Sequence, residues 1–236
     1  MDKKAVFNHY YKLLDDLRED SLAFQNFLYW CNTEEEYWRF DSSLVSCGAT
    51  RAALIDNEYP YVVKWDIDYD TWGDSSCERE VAIYNEAKNC GLQRYFTEAT
   101  YLGEYRRVVR GYNLEYEYHA DMNNEEYMEE VERCDCEEQE FVISISLYGY
   151  EYADCGSILD CESTPALREQ LHKYKSPLCE RNLSVGMNFL VSYGEEEFVK
   201  LTDFCCNFNI NDLHAGNVGY IGDNIVIVDF GSYHCD

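Results

Sequence analysis

Basic residues are scarce in this 236-residue chain: 19 Lys and Arg stand against 46 Asp and Glu, for a formal charge of −27. A surface of that sign repels nucleic-acid backbones and attracts cationic partners, so direct DNA or RNA binding is not expected. Long apolar runs are also lacking. No stretch approaches the roughly 20 residues that cross a bilayer, and Met1 to Ala5 is charged with no signal-type apolar segment behind it. No membrane association and a cytoplasmic location are therefore expected. Metal-type cysteine spacing is absent: the 12 Cys include no C-x-x-C, only Cys134-x-Cys136 and the adjacent Cys205-Cys206, so reduced thiols packed as small hydrophobes are expected. What the chain does contain, 46% apolar and 16% aromatic residues including 22 Tyr, excludes a disordered acidic polymer.

Residue spacing divides the chain into recognisable stretches. Phe7, Tyr10, Tyr11, Leu14 and Leu17, then Leu22, Phe24, Phe27, Leu28 and Trp30, have the spacing of one or two amphipathic helices. Residues 1–40 thus read as a helical N-terminal extension. From Leu44 to Lys64, short apolar stretches broken by Gly48 and by Asp56-Asn57-Glu58-Tyr59-Pro60 predict two or three strands with turns. Residues 77–89 return to helical spacing through Val81, Ile83, Tyr84 and Ala87. Between Glu115 and Glu140 there are 12 acidic residues in 26, a solvated insert or an exposed helix. Phe141, Ile143, Ile145 and Leu147 alternate with Val142, Ser144, Ser146 and Tyr148 as in a strand buried on one face, with Gly149 and Gly156 bracketing a loop after it. Helices are expected over Leu167 to Tyr174 and, as one long element, Val185 to Phe208. Two short strands, Val218 to Tyr220 and Ile225 to Phe230, should flank the turn Gly222-Asp223-Asn224. The fold class is α+β.

The stretch that carries chemistry is Asn211-Asp212-Leu213-His214-Ala215-Gly216-Asn217, followed after the hairpin by Asp229-Phe230-Gly231. It places two carboxylates, an imidazole and a carboxamide on loops flanking short strands. Phosphoryl transfer needs a divalent metal held against the phosphates and a carboxylate near the acceptor hydroxyl. Asp and Asn oxygens suit Mg²⁺, which takes one or two carboxylates plus phosphate and water.

The D-x-H-x-x-N spacing followed by D-F-G resembles the protein-kinase-like superfamily, most closely the minimal kinase-like proteins of bacteria and bacteriophages with aminoglycoside- and choline-kinase-type loops. The resemblance implies a two-lobed fold in which residues 41–150, with the acidic insert at 115–140, form the N-lobe. Residues 151–236 form a truncated helical C-lobe. It further implies ATP and Mg²⁺ as cofactors, Asp212 as the catalytic-loop aspartate, His214 as a contact to the transferred phosphate, and Asn217 and Asp229 as metal ligands. Ser46-Cys47-Gly48-Ala49-Thr50-Arg51 stands where a glycine-rich phosphate loop would be, keeping Gly48 with Arg51 at an outer place. Lys64 resembles the strand lysine that pairs with the α/β-phosphates, and Glu80 its helical ion-pair partner. Leu147-Tyr148-Gly149-Tyr150 would be the adenine-receiving hinge, so that Tyr148 and Tyr150 join the nucleotide-binding set.

Two departures shape the expected function. Ile210 and Asn211 replace the histidine and arginine of H-R-D, and the sequence reaches only Asp236 after D-F-G, without A-P-E. No Lys or Arg follows Lys200, so Mg²⁺ must screen ATP from the acidic loops, and a cationic acceptor is favoured. The expected activity is Mg·ATP-dependent phosphoryl transfer by a minimal Ser/Thr protein kinase of phage or bacterial type, in the host cytoplasm if phage-encoded. Its partners would be ATP and a basic protein or cationic small molecule. Two alternatives stand beside it: an aminoglycoside-like small-molecule kinase, and an inactive acidic pseudokinase or decoy that binds a basic host protein.

Overall fold

A computed structural model of the chain describes residues 1–17, 45–47, 51–56, 59–66, 76–112, 129, 131–135, 137–155 and 164–231. The second half of the expected N-terminal helical stretch, Gly48 with its turn, and most of the acidic insert lie outside them. The architecture is α+β, with antiparallel pairing in three strand pairs. The chain packs as two units, one of Met1–Gly73 with Thr100–Gly149 and one of Asp74–Ala99 with Tyr150–Asp236.

The first unit is built on a five-stranded sheet. Its strands are β1 (Val45–Cys47), β2 (Arg51–Ile55), β3 (Tyr61–Asp66), β4 (Ala99–Tyr112) and β5 (Glu138–Glu151), in the order β1-β2-β3-β5-β4. Alternation decides the buried face: Ala52 and Leu54, Val63 and Trp65, Tyr105 and Val109, and Ile143, Ile145 and Leu147 converge on one core. Helix α1 (Lys3–Asp15) adds Val6, Tyr10 and Leu14, spaced one turn apart on one face. Burying these three side chains contributes about 5–9 kcal/mol at most, which binds α1 into the core. Asp2 starts the helix by accepting from Lys4 N at 3.1 Å and Ala5 N at 3.2 Å. Polar contacts fix its docking: the Tyr10 hydroxyl donates to Tyr61 O, and Arg107 Nη1 donates to Leu14 O at 3.0 Å, satisfying a carbonyl at the helix end.

The second unit opens with α2 (Ser76–Asn89), whose buried face is Cys77, Glu80, Ile83 and Ala87. It continues after β5 with α3 (Pro165–Tyr174), α4 (Pro177–Glu180), α5 (Leu183–Tyr193) and α6 (Glu195–Asn207), then the hairpin β6 (Val218–Ile221) and β7 (Asn224–Ile227). Phe96 lies beside Ile227 in a parallel bridge, and Thr97 N donates to Ile227 O at 3.0 Å. Asp154 and Tyr220 exchange two backbone hydrogen bonds of 2.9 Å, which adds a short antiparallel rung to β6. Gly219 permits it, because a Cβ there would stand 3.0 Å from Asp154 O.

Several expectations need correction. The single long helix over Val185 to Phe208 is two helices, because Gly194 breaks it at φ +81° and ψ +170°, a conformation open essentially to glycine alone. Its N–H still donates to Leu190 O at 2.9 Å, ending α5, and three glutamates open α6 at the favourable end of its dipole. Gly149 does not begin a loop but lies inside β5, and β7 ends at Ile227, before Asp229-Phe230-Gly231. Strand β4 escaped the sequence reading, since Arg106, Arg107 and Arg110 interrupt its apolar alternation. Among the described cysteines only Cys77 and Cys205 are buried as small hydrophobes, whereas Cys90, Cys134, Cys155 and Cys206 are exposed thiols.

Candidate functional site

Asp212, His214, Asn217, Asp229 and Glu80 all belong to the second unit. The loop that carries the first three leaves α6 through Asn209, whose φ of +52° turns the backbone sharply. Ile210 N then donates to Cys205 O at 2.8 Å, and Ile210 and Leu213, both without solvent exposure, anchor the loop from below. Asp212 and Asn217 are left half-buried, with His214 exposed at the rim.

Asn217 is the centre of the hydrogen-bond arrangement. Its side-chain Nδ2 donates to the backbone carbonyl of Asp212 at 2.6 Å. Its own backbone carbonyl accepts from Val228 N at 2.9 Å and, more weakly, from Asp229 N at 3.5 Å. One residue therefore ties the Asp212 loop to the segment that follows β7 and sets Asn217 beside Asp229. With its NH₂ committed to Asp212, the amide presents Oδ1 as the acceptor end.

His214 is oriented by the chain two residues on: Gly216 N donates to its Nδ1 at 3.0 Å. Since Nδ1 is thereby an acceptor, the neutral ring carries its proton on Nε2 and turns a donor outward.

Glu80 reaches the same segment from α2. Its side chain is fully buried, and Oε1 accepts from Phe230 N at 2.9 Å and from Gly231 N at 3.2 Å. A buried carboxylate is tolerable where backbone N–H groups satisfy it. The Phe230 ring packs edge-on against Phe96, centroids 5.1 Å apart, which clamps the residue after Asp229 from its other side.

One member of the site had no sequence signal. Arg181, immediately after α4, brings Nη1 to 3.0 Å from Asp212 Oδ1. Its only trace in the sequence is negative, as the last arginine of a chain in which no Lys or Arg follows Lys200. No family model matches this chain. No curated protein is significantly similar to it either.

The remaining expected residues fall in the first unit or at its boundary. Lys64 sits at the middle of β3, opposite Ala53 of β2, and Arg51 opens β2 opposite Asp66. Gly48 lies outside the described residues. Tyr148 and Tyr150 are interior members of β5, 3% and 2% exposed, so Leu147-Tyr148-Gly149-Tyr150 is strand and not a free connection. The division between the two units passes between Gly149 and Tyr150.

As a metal site the cluster is lean. Among the described residues no group of three or more His, Cys, Asp and Glu side chains gathers around one point. One carboxylate and one amide oxygen suit an ion that draws its other ligands from phosphate and water, as Mg²⁺ does, and would not retain Zn²⁺. No helix among the described residues is long and apolar enough to cross a membrane.

Proposed function

We propose that this chain is a Mg·ATP-dependent phosphotransferase with a two-lobed protein-kinase-like fold, and that its acceptor is a Ser or Thr hydroxyl of a basic protein. The observation that carries the reading is the position of Asn217, which joins the Asp212 loop to Asp229 through one side-chain and two backbone hydrogen bonds. Element order adds support. In protein kinases the phosphate-binding lysine is on the third strand, its glutamate on the next helix, and the catalytic loop precedes D-F-G. Here Lys64 is on β3, Glu80 on α2, and Asp212 and Asn217 precede Asp229.

The division of labour follows from the groups present. Asp212 orients the acceptor hydroxyl and accepts its proton as the oxygen attacks. His214 would turn its Nε2 proton toward the transferred phosphate. Asn217 Oδ1 and the Asp229 carboxylate would hold Mg²⁺, which neutralises phosphate charge that the acidic loops would otherwise repel. Glu80 keeps the backbone after Asp229 in place.

A thermal titration tests the proposal. At a hundredfold excess over Kd, Mg·ATP should add about 2.7 kcal/mol, which for a protein of this size is roughly 5–10 °C in Tm. ATP without Mg²⁺ should add little, and Asp229→Ala should abolish the shift. Equal stabilisation of wild type and Asp229→Ala by Mg·ATP would overturn the metal assignment. A net charge of −27 favours a second reading, an inactive acidic scaffold that engages a basic protein. Under that reading the titration is flat in every arm.

A further inference from the structure

Arg181 is not explained by folding. The side chains of Arg181 and Asp212 are 62% and 31% exposed, and an ion pair this open contributes little to stability. Nη1 lies 3.0 Å from Oδ1, yet no N–H of the guanidinium is aligned for a hydrogen bond, so the contact is one of charge. Oδ1 itself is shut off from solvent, so the exposure of the Asp212 side chain comes from its other atoms. The guanidinium thus distinguishes the two oxygens, since Oδ1 is the one set against Arg181.

We infer that Arg181 is the positioning residue for Asp212, holding Oδ1 inward so that Oδ2 alone receives the acceptor hydroxyl. The inference rests on the phosphotransferase reading. Two features of the chain make such a cation necessary. Asn211 precedes Asp212 and is uncharged, and no Lys or Arg occurs beyond Lys200. Without Arg181, the Asp212 carboxylate would approach the polyanionic nucleotide with no Lys or Arg of its own loop beside it, and like charges in a partly desolvated site repel strongly. A guanidinium fixed at the end of α4 offsets that repulsion without being part of the loop that must meet the substrate. Arg181 acts through Asp212 and is assigned no contact with the transferred group.

The test compares wild type with Arg181→Ala, Arg181→Lys, Asp212→Asn and the double variant Arg181→Ala/Asp212→Asn, with Mg·ATP and a basic Ser-containing peptide as acceptor. Misplacing a reacting group by about 1 Å costs on the order of 100-fold, so Arg181→Ala should lose about that in kcat while KM for ATP and the Mg·ATP shift in Tm stay near wild type. Arg181→Lys should recover part of the loss. The double variant should be no slower than Asp212→Asn, because the arginine has nothing left to position. Wild-type turnover in Arg181→Ala, or additive losses in the double variant, would overturn the inference and leave the phosphotransferase reading standing. A wild-type protein that transfers no phosphate would overturn both.

Discussion

Glu80 offers the most direct test of how the site is held. Its Oε1 is the acceptor for two backbone donors, Phe230 N and Gly231 N, in surroundings where Glu80 and Phe230 have no solvent exposure. In Glu80→Ala both N–H groups lose this carboxylate in the interior, and an orphaned buried donor costs about 1–3 kcal/mol. Two of them give about 2–6 kcal/mol, and relief from burying a carboxylate returns part of that, leaving about 2–4 kcal/mol. Set against a total stability of about 5–15 kcal/mol, this is a large local loss. Glu80→Gln keeps a carbonyl oxygen that can accept both bonds and forfeits only the charge assistance, about 1 kcal/mol. The assay is native-state amide exchange. Phe230 and Gly231 should lose protection by roughly 30- to 700-fold in Glu80→Ala and by less than about 10-fold in Glu80→Gln, with Val63 and Trp65 of the first unit as reference amides. Unchanged protection at Phe230 and Gly231 in Glu80→Ala would refute the assignment of Glu80 as their acceptor. Equal effects of the two substitutions would show that the charge, not the acceptor geometry, holds the segment.

The remaining predictions concern packing and pH. Gly186 lets α5 approach α4, since a Cβ there would stand 2.3 Å from Cys179 Sγ and 3.1 Å from Leu178 O. Gly186→Ala should lose about 1–3 kcal/mol by overpacking, and adding Cys179→Ala should restore at least half of it in denaturant titrations; no recovery would show that the backbone carbonyl sets the limit. Glu197 is held down to about 2 by the Tyr95 hydroxyl first, then by Lys200 and Arg94. A carboxylate lowered in the folded state adds stability above its unfolded value of about 4.5, and that contribution is lost as pH falls toward about 2. The Tm of wild type should therefore drop more steeply between about pH 5 and pH 3 than that of Glu197→Gln. Parallel profiles would contradict the assignment.

Much of the secondary structure was readable because it follows from local periodicity. The alternation of Ile143, Ile145 and Leu147 marks β5, the one-turn spacing of Tyr10 and Leu14 marks α1, and Gly222 with Asp223 marks the β6–β7 turn. Reading failed where local pattern and local conformation part company. Gly194 lies between two stretches with apolar residues at helical spacing, yet its φ of +81° ends one helix and begins another. Gly149 looks like a loop signal but is a strand residue against which the Leu102 side chain packs, 3.0 Å from where a Cβ would be. Strand β4 carries arginines whose stems and heads find partners on α1 and β5, as Arg107 does at Leu14 O and Arg110 at Glu140, information no window of sequence contains.

The site divides in the same way. Asp212, His214, Asn217 and Asp229 stand out in the sequence as candidates by residue type and spacing. Which of them meet, and what holds them, required the folded chain. Asn217 reaches Asp212 O and Asp229 N across a hairpin, Glu80 reaches Phe230 and Gly231 from a helix that precedes them by more than half the chain, and Arg181 reaches Asp212 from the end of α4. Spacing along the backbone encodes contacts within a turn or between adjacent strands. Contacts between distant segments arise only when burial of the apolar faces has fixed where each element lies.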